Sequence, residues 1–386
     1  MRCLSLATLL LLVPTAAPRA QTTVEVVHGL HPEAASRVRG RLEAFLAAGH
    51  VPGVSAGVAC AGDSLALAAG VRQRGRSEAL EPTDLLCAGS TGKTFVAAVV
   101  LQLVQEGKLS LDELAGERLG GEEWFERLPN AAELTVENLL LHRSGLPRYE
   151  FQPEFVRDLV AAPDRVWRPA DLLGYVLDHA PEVAADQGFA YADTNYIVLG
   201  MLVESVTGST LYAEVQRRLL GPLRLDHVRP QDGRRIPGLV QGHAGAHDPL
   251  GFPELVMEDG LFFSNPQFEW AGGGFVSSGG DLARWALALY AGDVLKPEMR
   301  ARMVQGKPAP ELGRGVAYGL GAIQWETPHG PAWGHEGFFP GYMSCMCYWP
   351  RHGLAVAVQV DTSDFQDLPQ PLGRLCEALL EAALPE

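Results

Sequence analysis

At 386 residues, 47% of them hydrophobic, the chain is long enough for one large domain or two closely joined ones and apolar enough for a full core. Its formal net charge of -15 excludes a nucleic-acid partner, because binding phosphates needs a basic surface.

Arg2, the apolar run from Leu4 to Val13 and the small residues up to Ala20 predict a secretory signal peptide over residues 1–20. The run is about ten residues, against the roughly 20 that span a bilayer. The alternative is an apolar first helix of the fold. The mature protein is expected to be soluble and exported, periplasmic or extracellular, without a membrane anchor.

Further along, Val38, Leu42, Phe45 and Leu46 give residues 33–48 a helical spacing, which Val51-Pro52-Gly53 breaks. Residues 54–60 and 65–71 read as two strands joined by Ala61-Gly62-Asp63. A Val-, Ala- and Leu-rich helix runs from Ser90 to Glu106 and stops at Gly107; Ser110 to Asp112 then cap a short helix. From 111 to 269 short helices (136–141, 169–179, 196–206) alternate with turns, and 229–268 shows no period. The glycine run Ala271 to Gly274 leads to a helix over 281–290, strands at 322–325, 342–349 and 354–360, and a last helix over 368–384. The expected fold class is α/β: a sheet from both chain ends (21–110 and 270–386), flanked by helices, with a mainly helical region (111–269) inserted. Sites commonly form in the cleft between two such lobes.

Of six cysteines, Cys3 leaves with the signal peptide, so Cys60, Cys87, Cys345, Cys347 and Cys376 remain, and an odd count leaves at least one free thiol. Cys345 and Cys347 point to one strand face, which suits packing better than a mutual bond. With no CxxC pair, neither a zinc nor a redox framework is expected.

Ser90-Thr91-Gly92-Lys93 is the first motif with chemistry in it. A serine at a helix start and a lysine three residues on share a face. The hydroxyl needs a base to become a nucleophile, and a buried lysine can lose its charge to act as one or can polarise one, as arginine cannot. Among 31 basic residues only Lys93, Lys108, Lys296 and Lys307 are lysines, so a lysine here is informative. Three look-alikes are set aside. Gly89 to Thr94 mimics a phosphate loop, and Leu354 to Asp361 the apolar strand that accompanies one, but Cys87 stands where the loop needs glycine. Gly53-Val54-Ser55-Ala56-Gly57 matches a nucleophile elbow, but a helix precedes it and Ser55 falls inside a strand. His243 and His247, with Asp248, have metal-ligand spacing only on a helix; the glycines and proline around them predict solvated loop histidines.

Two more segments join Ser90-x-x-Lys93: Tyr191-Ala192-Asp193, followed by Thr194-Asn195-Tyr196 and an apolar helix, and His335-Glu336-Gly337, set just before a strand. With Leu139 to Leu146 (LLLHRSGL) and Ala271 to Gly274, their order resembles the class C β-lactamase family, which includes D-alanyl-D-alanine carboxypeptidases, D-aminopeptidases and esterases. The resemblance covers about 33 to 384. It implies an antiparallel β-lactamase/transpeptidase-like sheet, an acyl-enzyme on Ser90, proton transfer shared by Lys93 and Tyr191, His335 on the strand lining the cleft, and an oxyanion hole from the backbone N–H groups of Ser90 and Phe338. A small-molecule or peptide substrate is expected, with no cofactor and no metal. His142 and Ser144 read as capping before Gly145.

Two positions depart from β-lactamases. Asp193 replaces an asparagine that donates to the substrate; an ionised aspartate only accepts. Glu336 replaces a hydroxyl residue that holds a substrate carboxylate, although strand alternation leaves open which way it faces. His335, a weaker cation than lysine, adds to this. Neutral or amine-bearing esters and D-amino-acid peptides are therefore expected ahead of β-lactams and D-Ala-D-Ala termini. The alternative of another class is a non-catalytic protein that binds a cell-wall or peptide ligand.

Overall fold

Runs from both halves of the chain meet in one nine-stranded antiparallel sheet in the computed structural model, which describes residues 22–28, 32–246 and 248–385. The leader pattern, Cys3 and His247 lie outside the described residues. The strands are β1 (Thr22–His28), β2 (Gly53–Cys60), β3 (Asp63–Gly70), β4 (Lys307–Pro308), β5 (Ala317–Tyr318), β6 (Ile323–Thr327), β7 (Gly330–Phe339), β8 (Tyr342–Trp349) and β9 (Leu354–Val360). Their order across the sheet is β1-β3-β2-β9-β8-β7-β6-β5-β4, so β9 returns beside β2 and joins the two ends of the chain.

The central strands are buried on both faces. Along β9, Val356, Val358 and Val360 join one core cluster, while Ala355 and Ala357 join the other. The valine face is covered by helices α1 (Pro32–Ala48), through Val38, Leu42 and Phe45, and α6 (Leu372–Ala383), through Leu375 and Leu379. Each such buried side chain contributes roughly 1.5–3 kcal/mol. Against the alanine face lies α5 (Gly279–Tyr290), and beyond it pack α2 (Lys93–Gln105), α3 (Val136–Leu140) and α4 (Asp193–Thr207). Among the described residues no single helix is long and apolar enough to cross a membrane.

Ser110 to Asp112 cap no helix: the Ser110 hydroxyl bonds the Asp112 carboxylate, its amide donates to Glu113 (3.0 Å), and helix resumes only at Gly116. The stretch predicted helical over 169–179 ends its helix at Leu173. His335-Glu336-Gly337 lies inside β7, paired along its length with β8, rather than before a strand. His243 is buried rather than solvated; its Nδ1–H donates to the Asp361 carbonyl (2.8 Å) and Nε2 accepts from the Arg74 amide (3.1 Å). Ser55 sits buried in β2, its Oγ accepting the Gly279 amide (3.0 Å), as a core strand serine does.

Candidate active site

The chain places Ser90 by pressing a short 3-10 turn (Gly89–Gly92) onto β7. The approach is too close for side chains: a Cβ on Gly89, whose φ is 52°, would come 2.5 Å from the Phe338 carbonyl oxygen, and one on Gly337 would come 1.9 Å from that of Ala88. Ser344 on β8 pins the turn, donating to the Ala88 carbonyl (2.6 Å) and meeting Thr91 Oγ1 at 2.7 Å. β6 pairs with β7 only as far as Gly334. Beyond that point His335, Glu336, Gly337 and Phe338, together with Ser90 and Tyr191, line a cavity of about 800 Å³.

Lys93, with no exposed surface, opens α2 one turn below Ser90. Its three protons are all used: Nζ donates to Ser90 Oγ (2.8 Å), to Asp193 Oδ1 (2.5 Å) and to the Gly272 carbonyl. A kinked stretch delivers that carbonyl, with Trp270 held at φ 34°, ψ −113°, a strained conformation of the kind that collects at functional sites. Burial alone pulls the Lys93 ammonium down, but the nearby carboxylates, Asp193 foremost, outweigh it and hold its pKa above that of an ordinary lysine. Lys93 is therefore charged at neutral pH, a state that can polarise a neighbour but cannot accept a proton. Replacing Asp193 by asparagine removes the nearest of these carboxylates and lowers the Lys93 pKa. The limb of the kcat/KM–pH profile set by loss of that proton is expected to move to lower pH, and an unmoved limb would remove Asp193 from control of the site.

Tyr191 stands across from Ser90. Burial raises its phenol pKa, against the lowering effect of Lys93 and of hydrogen bonding to Ser90 and Lys93, so it rests neutral. The ring lies 4.1 Å from that of His142, stacked on it. His142, at φ 52°, is fully buried, and its Nδ1 accepts from the Ala192 amide (3.3 Å) and from Asn195 Nδ2 (3.0 Å). Burial drives its pKa well down, leaving a neutral ring with the proton on Nε2. Ser144 donates to Asn195 Oδ1. His142 and Ser144 thus brace the Tyr191 segment, a role beyond the capping expected of them.

His335 is not a weak cation but a neutral base. Nδ1–H donates to the Glu336 carbonyl (2.6 Å), Nε2 accepts from Tyr318 (2.9 Å), and burial pushes its pKa down to about 3. Glu336 pairs in register with Cys345 and lies toward the start of α6, the opposite face of β7 from His335, where it lines the outer part of the cavity. Phe338 stacks on Phe365 at 6.2 Å.

Four residues that the motifs did not reveal complete the surroundings. Arg148 lines the cavity, 5.6 Å from the Tyr191 ring centroid, and is paired with Glu150 at 2.7 Å. Glu150 and Glu269 are buried, and burial, then Asp193, raises both carboxyls. Glu311 accepts the Tyr191 amide (3.2 Å) and lines the mouth. Arg148 and Glu150 follow the LLLHRSGL segment closely, but no linear spacing ties them to Tyr191.

A hydroxyl touching a fixed ammonium at the start of a helical turn, where the first amides lack intrahelical partners, suits acyl transfer. The beta-lactamase family model matches residues 38–372. Penicillin-binding protein 4 of Amycolatopsis lactamdurans is 27% identical over 348 residues, 85% of this chain and 86% of that protein. Unguisins hydrolase ungD' of Aspergillus campestris is 25% identical over 336 residues, 81% of this chain but 59% of the relative. The crystal structure of D-amino acid amidase from Ochrobactrum anthropi SV3 complexed with D-phenylalanine superposes with a TM-score of 0.76 at 26% identity, covering 90% of this chain and 98% of that one.

Proposed function

Because this chain belongs to the beta-lactamase family and is a serine hydrolase, we propose that it cleaves esters or amides of neutral or amine-bearing substrates through an acyl-enzyme on Ser90. The observation that carries the chemistry is the Lys93 ammonium fixed 2.8 Å from Ser90 Oγ. In this reading Ser90 attacks the carbonyl while Tyr191 takes the hydroxyl proton and passes its own to the leaving oxygen or nitrogen. The Lys93 charge steadies the developing alkoxide and phenolate, and the amides of Ser90 and Phe338 hold the oxyanion. Water then repeats the relay in reverse and frees Ser90.

Substrate choice follows from charge. His335 is neutral, Arg148 is already matched by Glu150, and Glu311 and Glu336 both border the cavity. A substrate carboxylate finds no unmatched cation there, whereas an ammonium finds two carboxylates. The amidase relative, solved with D-phenylalanine, supports an amino-acid amide. A p-nitrophenyl ester and D-phenylalanine amide are expected to turn over roughly tenfold or more faster than a cephalosporin, about 1.4 kcal/mol in transition-state binding. A cephalosporin turned over much faster than either would refute the preference. Arg148 favours the second reading, a β-lactamase or D-alanyl-D-alanine carboxypeptidase, should a substrate carboxylate displace Glu150. A binding protein without turnover has the intact contact between Ser90 and Lys93 against it. The leader pattern ending near Ala20 supports action outside the cytoplasm.

A further inference from the structure

Cys345 and Cys347, two apart on β8, share a face, and Cys376 reaches them from α6. Cys345 Sγ and Cys347 Sγ lie 3.7 Å apart, and the three sulfurs all lie within 4.8 Å of one another. All three residues are buried and none is in a disulfide. We propose that these sulfurs form a binding site for one thiophilic divalent cation of the zinc and cadmium class.

The spacing fits. A metal–thiolate bond of about 2.3 Å in a trigonal plane sets its sulfurs about 4.0 Å apart, between the shortest separation and the outer limit found here. The ligands are already gathered: β8 is buried along its whole length, and Leu375 and Leu379 seat α6 on the sheet around Cys376. The Cys376 thiol is aimed at the Cys345 carbonyl oxygen, 3.8 Å away, which holds its sulfur beside the other two. Sulfur ligands select soft ions over calcium or magnesium. An apolar core favours an uncharged complex. A divalent ion held by two thiolates and one neutral thiol meets that condition: one M²⁺ enters, two S–H bonds break, two M–S⁻ bonds form and two protons leave to water.

Buried sulfurs load as the chain folds, so the test uses the full chain expressed with cadmium under reducing conditions and then desalted. Elemental analysis is expected to find one cadmium per chain, with a sulfur-to-cadmium charge-transfer absorption. Both signals should persist in Cys60→Ser, whose cysteine lies outside the cluster, and disappear in Cys376→Ser and in Cys347→Ser. Wild-type protein that retains no cadmium overturns the proposal. So does one cadmium per chain in Cys376→Ser, or a native mass lighter by two hydrogens that marks a disulfide among the three. Should both variants fail to fold, the wild-type stoichiometry and absorption decide alone.

Discussion

Ser90→Ala is expected to lower hydrolysis of a short-chain p-nitrophenyl ester by about 10³-fold or more, because Ser90 carries the only serine or threonine hydroxyl bonded to the Lys93 ammonium among the described residues. Ser55→Ala is the matched control. It removes a buried acceptor of the Gly279 amide and should cost about 1–3 kcal/mol of stability while leaving kcat almost unchanged. Intact-mass measurement with a slowly deacylated ester should show one acyl adduct on the wild type and on Ser55→Ala, and none on Ser90→Ala. An adduct that survives in Ser90→Ala would move the nucleophile elsewhere.

The second large effect is expected at Lys93, where activity and stability separate. Lys93→Met keeps most of the volume but removes the charge, so kcat should fall by about 10³-fold. It also strands Asp193 beside the buried Glu150 and Glu269, and breaking a buried pair from one side costs about 3–5 kcal/mol. Lys93→Met combined with Asp193→Asn removes both charges and should regain much of that stability without regaining activity. Denaturant unfolding and ester kinetics on the same samples give both numbers. Activity restored in the double variant would mean that the ammonium is dispensable. Lys93→Arg should not rescue, because a guanidinium at a site with no exposed surface is too large and differently shaped.

How much of this was legible in the sequence depends on the range of the physics. The helix over 32–48 and the strands of both chain ends were readable because burial periodicity is local: Val38, Leu42 and Phe45 recur at helical spacing whatever they pack against. Helix ends were less readable. The Ser110 and Leu114 amides are taken by the Glu113 and Glu117 side chains in a turn, and the helix at Pro169 stopped early. Likewise, the contact between Ser90 and Lys93 follows from three residues of helical geometry.

Other features needed the closed fold. The charge state of Lys93 depends on Asp193 and on the Gly272 carbonyl, 100 and 179 residues away, together with its complete desolvation. His142 looked like the end of a helix until packing stacked it on Tyr191. His335 became a neutral base only because burial and Tyr318 surround it. The three-sulfur cluster shows no CxxC signature because α6 supplies one ligand from 29 residues beyond Cys347. Which residues carry reactive groups, and which share a helix or strand face, can be read along the chain, since backbone geometry sets that spacing. Tertiary structure alone decided which of those groups are charged, which face the cavity and which distant atoms share a site. Desolvation and Coulomb fields depend on everything packed around a group, not on its neighbours in the chain.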